Sequence, residues 1–285
     1  MPGTERNEDA LPPRTYPQGV PSWIDGRHAD VDAAEAFYSA LFGWSLSERL
    51  PPQAPGSYRI ATRDGLDVGA LASLADGAAS GWVTYFAVDD ADQTAQTVRD
   101  AGGEVFGLED AGRGGAAGRS AFCRDDRGVL FGLWQARERL GSQYINRPGG
   151  WVFSDLRTPD PEAHLAFYRK VFGWAVMDMG PDSARMLGVP GYGDHLAATS
   201  DPHIRERQAG APAGFADVFG AARSTDGPAT WQVGFSVADR DAAAQTIERL
   251  GGRIVATADE KWTRLADALD PQGVAFTITQ FVQQR

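Results

Sequence analysis

Two short segments carry the residues with the most chemical reach. Trp23-x-Asp25-x-Arg27 and Phe153-x-Asp155-x-Arg157 each place an aromatic, a carboxylate and a guanidinium at alternate positions. In an extended strand all three side chains then emerge on one face. Such a set supplies a stacking surface, an acceptor and a fixed cation, the equipment of a small-molecule site. The same residues admit a plainer reading, in which Asp and Arg two residues apart neutralise each other on a wet sheet face. Asp25 and Asp155 are also the candidate general bases, with the neighbouring arginine stabilising an enolate. A catalytic carboxylate is expected to stand isolated with a raised pKa, and an adjacent arginine lowers it, which favours binding over catalysis.

The elements that must position these residues come in duplicate. Asp30-Val-Asp-Ala-Ala-Glu-Ala-Phe-Tyr-Ser-Ala-Leu-Phe-Gly-Trp44 recurs as Asp160-Pro-Glu-Ala-His-Leu-Ala-Phe-Tyr-Arg-Lys-Val-Phe-Gly-Trp174. The leading Asp can accept from the free amides of a first helical turn, and Pro161 falls where a missing N–H is harmless. Ala33, Phe37 and Leu41, like Ala163, Phe167 and Val171, share one face at helical spacing. Gly43 and Gly173 fall where a left-handed residue ends a helix. One helix used twice implies one fold used twice.

At 285 residues the chain suits two domains of ordinary size, each long enough to close its own core. An apolar content of 42% and a charged content of 23% are those of a globular protein. No apolar run nears the ~20 residues of a membrane span. Residues 1–19 have no apolar h-region and read as a flexible lead-in rather than a signal peptide. Cys123, the one cysteine, leaves no intrachain disulfide, fits a reducing cytoplasm and reads as a small core residue. A net charge of −11 argues against a nucleic-acid partner, because phosphate binding needs a basic face.

In order, Val20–Arg27 reads as a strand, followed by the Asp30–Phe42 helix. Strands at Ser57–Thr62 and Asp67–Ser73 flank an Asp64-Gly65 turn suited to a hairpin. Trp82–Val88 is a β-rich strand, Asp90 caps a second helix that Gly102-Gly103 ends, and Asp125-Asp-Arg-Gly128 turns into the strand Val129–Trp134. The second half repeats this plan with Trp151–Arg157, Asp160–Phe172, Trp231–Val237, Gly251-Gly252 and Asp270-Pro-Gln-Gly273. The boundaries are therefore a first domain over 20–136, a linker over 137–148 and a second domain over 149–285. The first helices are 130 residues apart but the Trp82 and Trp231 strands 149, so extra chain lies in the second half. It is expected at 199–230, folded over a cleft through Phe215 and Phe219.

The Ala-Phe-Tyr-x-x-Leu/Val-Phe-Gly-Trp helix, the strand–helix–Gly-Gly unit and the Asp-x-x-Gly turn, present in both halves, make the chain resemble the vicinal oxygen chelate superfamily, also called the glyoxalase, bleomycin-resistance and dioxygenase superfamily. The resemblance implies an α+β protein of two tandem domains, each of two βαβββ modules curled into a half-open barrel with a concave cleft. The family's metal enzymes carry His or Glu on the first, fifth and last strands of a domain. The corresponding positions are Trp23, Val83 and Gly132 in the first half and Phe153, Gln232 and Thr277 in the second. None offers an imidazole or carboxylate, so no metal, no other cofactor and neither glyoxalase nor extradiol dioxygenase activity is expected. His28 (loop), His164 (helix), His195 (strand) and His203 (insert) read as ordinary polar residues.

On strand alternation, Trp23, Asp25, Arg27, Val83, Tyr85, Leu130 and Trp134 line the first cleft. Phe153, Asp155, Arg157, Gln232, Gly234, Ser236, Thr277 and Thr279 line the second. Trp44 and Trp174 read as structural, and Trp82 and Trp231 as packing against helices. Trp23 and Trp134 are the expected stacking residues. The leading reading is a cytoplasmic, metal-free binding protein for an aromatic small molecule that can be cationic. It resembles the antibiotic-binding branch of the family and the tandem members that accompany aromatic polyketide pathways in actinomycetes, which makes an anthracycline-like ligand the specific expectation. The role would be sequestration, self-resistance or relief of product inhibition. The alternative is a metal-free tailoring enzyme using Asp25 or Asp155, and a third class is a regulator whose clefts sense a signal. The expected assembly is a monomer or weak homodimer touching, at most transiently, a biosynthetic enzyme, with no nucleic-acid or membrane partner.

Overall fold

The duplicated helices form as their ends require. In a computed structural model describing residues 13–75, 77–180 and 184–282, Asp30 accepts from Ala33 N at 2.9 Å and Asp160 from Ala163 N at 3.2 Å. Gly43 and Gly173 close the helices at φ 71° and 69°, a left-handed backbone that glycine adopts without strain.

The first half runs β1 (Pro21–His28), α1 (Val31–Phe42), β2 (Ser45–Glu48), β3 (Tyr58–Arg63), β4 (Leu66–Ser73), β5 (Gly81–Ala87), α2 (Ala91–Asp100), β6 (Glu104–Ala111), β7 (Gly118–Arg124) and β8 (Leu130–Ala136). The second runs β9 (Trp151–Thr158), α3 (Pro161–Phe172), β10 (Ala175–Asp178), β11 (Arg185–Gly188), α4 (Tyr192–Thr199), α5 (Ile204–Arg207), β12 (Val218–Ser224), β13 (Thr230–Ser236), α6 (Arg240–Arg249), β14 (Arg253–Asp259), β15 (Thr263–Leu269) and β16 (Ala275–Phe281). They build two eight-stranded mixed sheets of the same order, β2-β3-β4-β1-β5-β8-β7-β6 and β10-β11-β12-β9-β13-β16-β15-β14, an α+β architecture. In each, two βαβββ modules meet where their first strands pair antiparallel, Trp23 opposite Tyr85 and Phe153 opposite Gly234. Asp64 and Gly65, at φ 52° and 75°, make the expected tight hairpin. Among the described residues no helix is long and apolar enough to cross a membrane.

Although each half is long enough to close a core of its own, the large cores are shared between them. The sheets turn their helix-bearing faces to one another, touching at Thr84 and Ser154, whose hydroxyls bond at 2.7 Å. Phe86 on β5 packs against Phe172, Trp174 and Trp231 of the other half, with ring centroids 5.1–5.2 Å away. Phe235 on β13 packs against Phe42, Trp44 and Trp82 at 4.9–5.4 Å. Each large apolar cluster thus joins one module of the first half to one of the second. Trp44, Trp174, Trp82, Trp231 and Cys123 are buried there, and burial pushes the Cys123 thiol up to about 12.

Two turn carboxylates tie the halves together. Asp125 Oδ1 accepts from Arg127 N and Val129 N, while its Oδ2 lies 2.7 Å from His164 Nδ1 on α3. Asp270 Oδ1 accepts from Gln272 N and Val274 N, and its Oδ2 meets His28 Nε2 at 2.8 Å and the Tyr38 hydroxyl at 3.2 Å. His28 ends β1 rather than lying in a loop, and is 0% exposed. Burial and the Asp270 charge push the Tyr38 phenol well above its usual range, so it stays a donor.

Other boundaries move as well. Residues 1–12 of the expected lead-in lie outside the described residues, but 13–19 bridge the halves: Arg14 Nη2 donates to Tyr192 Oη at 2.8 Å, and the Tyr16 hydroxyl donates to Ser142 O. The linker is packed, with Ser142 and Tyr144 buried. The stretch 199–230 is not an insert, because it contains β12, the partner of β9. The extra chain spans residues 189–217 between β11 and β12, where the first half has only its hairpin turn. It carries α4, so His195 is helical, and Tyr192, Leu196 and Ile204 sink into the interdomain cluster. Phe219 packs on Trp174 at 5.0 Å rather than over a cleft, and Phe215 is half-buried. Spacing between anchors measures how much chain is added, not where it enters.

Because the core is shared, urea unfolding of the whole chain should show a single transition. Asp270→Ala should lower stability by about 3–5 kcal/mol, since it strands a buried histidine and tyrosine and frees the turn amides. Two transitions, with only one half destabilised by the substitution, would show independent domains.

Candidate functional site

Strand alternation sorts β1 and β9 as the sequence implies. Ile24 and His28 face the interdomain core, while Trp23, Asp25 and Arg27 share the opposite, concave face. What the two concave faces then do differs.

The first is filled by its own side chains. Trp23, Val83, Tyr85 and Trp134 are 2–8% exposed and form one cluster with Ile60 and Ala70, against which Tyr58, Phe122 and Leu130 pack. Asp25 sits at its centre, accepting from Trp23 Nε1 (2.9 Å), Tyr58 Oη (2.9 Å) and Tyr85 Oη (2.8 Å). Arg27 stands 3.7 Å from Asp25 and stacks over Phe122 at 4.4 Å. Burial raises the Asp25 carboxyl above its ordinary range, against the opposing pull of Arg27, Tyr85, Tyr58 and Trp23. This corrects the expectation that the neighbouring arginine sets its pKa downward: at 2% exposure desolvation outweighs the cation. Trp134 donates to Arg139 O at 2.9 Å, and the Arg139 guanidinium lies 5.7 Å from the Trp23 ring, so the linker covers this face. Trp23 and Trp134 come together as expected, but as packing partners and not as open stacking walls.

The second concave face is open. A cavity of about 440 Å³ is lined by Arg157, Arg223, Thr225, Thr257, Glu260 and Asp267 among others. It continues into a recess lined by Phe153, Asp155, Gln232, Gly234, Thr277 and Thr279. All of these second-half residues named from sequence line it except Ser236, which is buried. Asp155 and Arg157 do not neutralise each other. Asp155 accepts from Ala221 N (2.9 Å) and Arg223 Nε (3.0 Å), while Arg157 grips Asp267 through both Nη atoms at 2.6 and 2.7 Å. Thr277 Oγ1 donates to Asp267 at 2.7 Å and lies 3.4 Å from Gln232 Nε2. Although burial opposes it, the Arg157 pairing holds the Asp267 carboxyl below its usual range.

Register explains the contrast. Tyr85 and Phe122 both stand opposite Gly132 across their strands, and a Cβ on Gly132 would meet the Tyr85 ring at 2.0 Å. In the second half Gly234 and Asp267 occupy those places, both opposite Thr277. Tyr58 and Ala72, paired in the first sheet, correspond to Ala184 and Arg223. Thr279 stands for Trp134. Large rings that plug the first face are exchanged for small or charged side chains on the second. Arg223, Asp267 and Glu260 escaped the sequence reading because β12 was placed in an insert and β15 was not assigned. The signal was present: Gly69-Ala-Leu-Ala-Ser73 matches Gly220-Ala-Ala-Arg-Ser224. Both glycines let the parallel strand press on its neighbour, since a Cβ would fall 2.8 Å from Ile24 O or Ser154 O.

The six positions at which the family resemblance implies metal ligands, Trp23, Val83, Gly132, Phe153, Gln232 and Thr277, hold indole, isopropyl, hydrogen, phenyl, amide and hydroxyl groups, and only the last two offer oxygen, both neutral. This donor set does not fit a catalytic divalent ion. Among the described residues no group of three or more His, Cys, Asp or Glu could hold one.

Comparison with known proteins agrees with this architecture. The chain is 33% identical over 284 residues to "Putative glyoxylase CFP32" of Mycobacterium tuberculosis, covering 96% of this chain and 100% of the relative. It is 32% identical over 283 residues to "Anthracycline biosynthesis protein DnrV" of Streptomyces peucetius, covering 93% and 94%. The Mn(II)-bound glyoxalase from Novosphingobium aromaticivorans shares the fold at a TM-score of 0.60 and 17% identity, over 93% of this chain and 84% of that one. The family model described as "Glyoxalase/Bleomycin resistance protein/Dioxygenase superfamily" matches residues 23–133 and 150–278. With one match in each eight-stranded half, the chain belongs to the glyoxalase, bleomycin-resistance and dioxygenase superfamily as a tandem two-domain member.

Proposed function

We propose that this protein is a metal-independent binding protein for an aromatic, anthracycline-like natural product, held in the cleft of the second half. The observation that carries the reading is the opposition of the two concave faces. One is plugged by Trp23, Tyr58, Tyr85, Phe122 and Trp134, and the other keeps a cavity of about 440 Å³, within the range of about 300–1,000 Å³ usual for small-molecule sites. Similarity to an anthracycline biosynthesis protein over nearly the whole chain supports the ligand class. In a producing cell such a protein would sequester the product, giving self-resistance or relieving product inhibition.

Binding is favoured over base catalysis by the state of the carboxylates. Asp25 has the raised pKa of a candidate base, but it is 2% exposed and already accepts three hydrogen bonds. Asp155, Asp267 and Glu260, which do line the cleft, are each bound by a guanidinium and a further donor. None of these carboxylates therefore offers substrate a free basic oxygen.

Titration calorimetry with an anthracycline should give one site per chain, and chromatography of the mixture should return the compound unchanged. Conversion of the ligand, lost in Asp25→Asn or Asp155→Asn at unaltered affinity, would establish the enzyme instead. Gly234→Leu should abolish binding while preserving the fold, because a Cβ there meets its neighbours no closer than 3.5 Å and the longer side chain projects into the cavity. Trp23→Ala should behave oppositely, costing about 3–5 kcal/mol of stability as a buried aromatic truncation does and leaving the second cleft's affinity within a few-fold. Protein exposed to zinc, iron, manganese and nickel and then desalted should carry well under one ion per chain by elemental analysis.

A further inference from the structure

The second cleft is built for acceptors. Its three carboxylates accept from the protein's own donors: Asp267 receives both Arg157 Nη atoms and the Thr277 hydroxyl, Asp155 receives Ala221 N and Arg223 Nε, and Glu260 receives Arg223 Nη1 and the Thr263 hydroxyl. The donors are not spent in return. Arg223 Nη1 reaches Glu260 at 2.9 Å, but Arg223 Nη2 and the hydroxyls of Thr225 and Thr257 make no hydrogen bond among the described residues, while all three side chains line the cavity. An entering ammonium would meet carboxylates whose oxygens already accept from Arg157, Arg223, Ala221, Thr263 and Thr277. An entering carbonyl, phenolate or carboxylate would meet the Arg223, Thr225 and Thr257 side chains that line the cavity with donors to spare.

The other end of the cleft is aromatic. Phe281 follows Thr277 and Thr279 at alternate positions on β16 and so shares their concave face. It is 49% exposed and lies edge-on to Phe153, with ring centroids 6.1 Å apart. Phe153 and Arg157 are four residues apart on β9, about 13 Å at a strand's rise. The groove thus has a ring surface at one end and a donor fork at the other.

Resting on the binding function proposed above, we infer that the ligand is a planar hydroxyquinone, neutral or anionic, that lays its rings on Phe153 and Phe281 and turns keto, phenol or carboxylate oxygens toward Arg223. A cationic amino-sugar is not what the site selects. In a biosynthetic sequence this places the protein with the product of an aglycone-stage reaction, upstream of the transfer of an amino-sugar, and of the roles proposed above selects relief of product inhibition over self-resistance.

Intrinsic fluorescence and calorimetric titrations of the full chain with daunomycinone, and with daunorubicin, the same tetracycle bearing an ammonium sugar, test this. The aglycone should bind at least as tightly as the aminoglycoside. Arg223→Gln should weaken the aglycone about 10- to 100-fold, the value of a charge-assisted hydrogen bond, Arg223→Lys should restore only part of this, and the exposed Phe281→Ala should weaken both compounds. Should Arg223→Gln disturb the fold through its loss of Asp155, the Lys variant, which keeps the charge, carries the test. Tighter binding of daunorubicin, or aglycone affinity indifferent to both Arg223 variants, would overturn the acceptor-site inference and leave the second cleft as a binding site. Failure of the folded wild-type protein to bind either compound would overturn the anthracycline-like function itself.

Discussion

Asp125 and Asp270 are the constraint on which the rest of the structure depends. Each holds its own turn with one oxygen and, with the other, a residue of the opposite half. A buried carboxylate is tolerated only with partners on most of its lone pairs, so each turn is complete only when the halves are docked. The duplicated Phe-Tyr helix serves the same end, because its aromatics fill the space between two sheets rather than the back of one.

That docking consumes the convex faces and leaves the concave ones free to diverge. The first half uses its freedom to build a satellite core around a buried carboxylate, with rings supplied from several strands. The second leaves Gly234, Thr277 and Thr279 short and sets arginines across the floor. One fold in two copies yields a filled concave face and an open one. Similarity to metal enzymes of the same fold is a likeness of architecture, and chemistry is decided by the site rather than by the fold.

Much of this was legible in the residues alone. The helix caps, the Asp64-Gly65 turn, the inward set of β1 and β9 and most of the second cleft's lining follow from local rules of capping, turn geometry and alternation. The weakest elements went unread: Ser45-Leu-Ser-Glu48 has no apolar face, and Arg253–Asp259 is an exposed edge strand. His28 and His164 were read as ordinary polar residues, because their partners lie 242 and 39 residues away in sequence.

The sequence by itself determined the duplication and the α+β module, since repeated motifs with their caps and turns need no coordinates. Tertiary structure alone decided that the core is shared, that the rings of the first cleft plug it, and that Asp155 and Arg157 pair with Arg223 and Asp267 instead of each other. The physical reason is the same in each case. Alternation fixes which face a side chain takes, but whether it meets solvent, a ring or an opposite charge depends on what another strand places across from it.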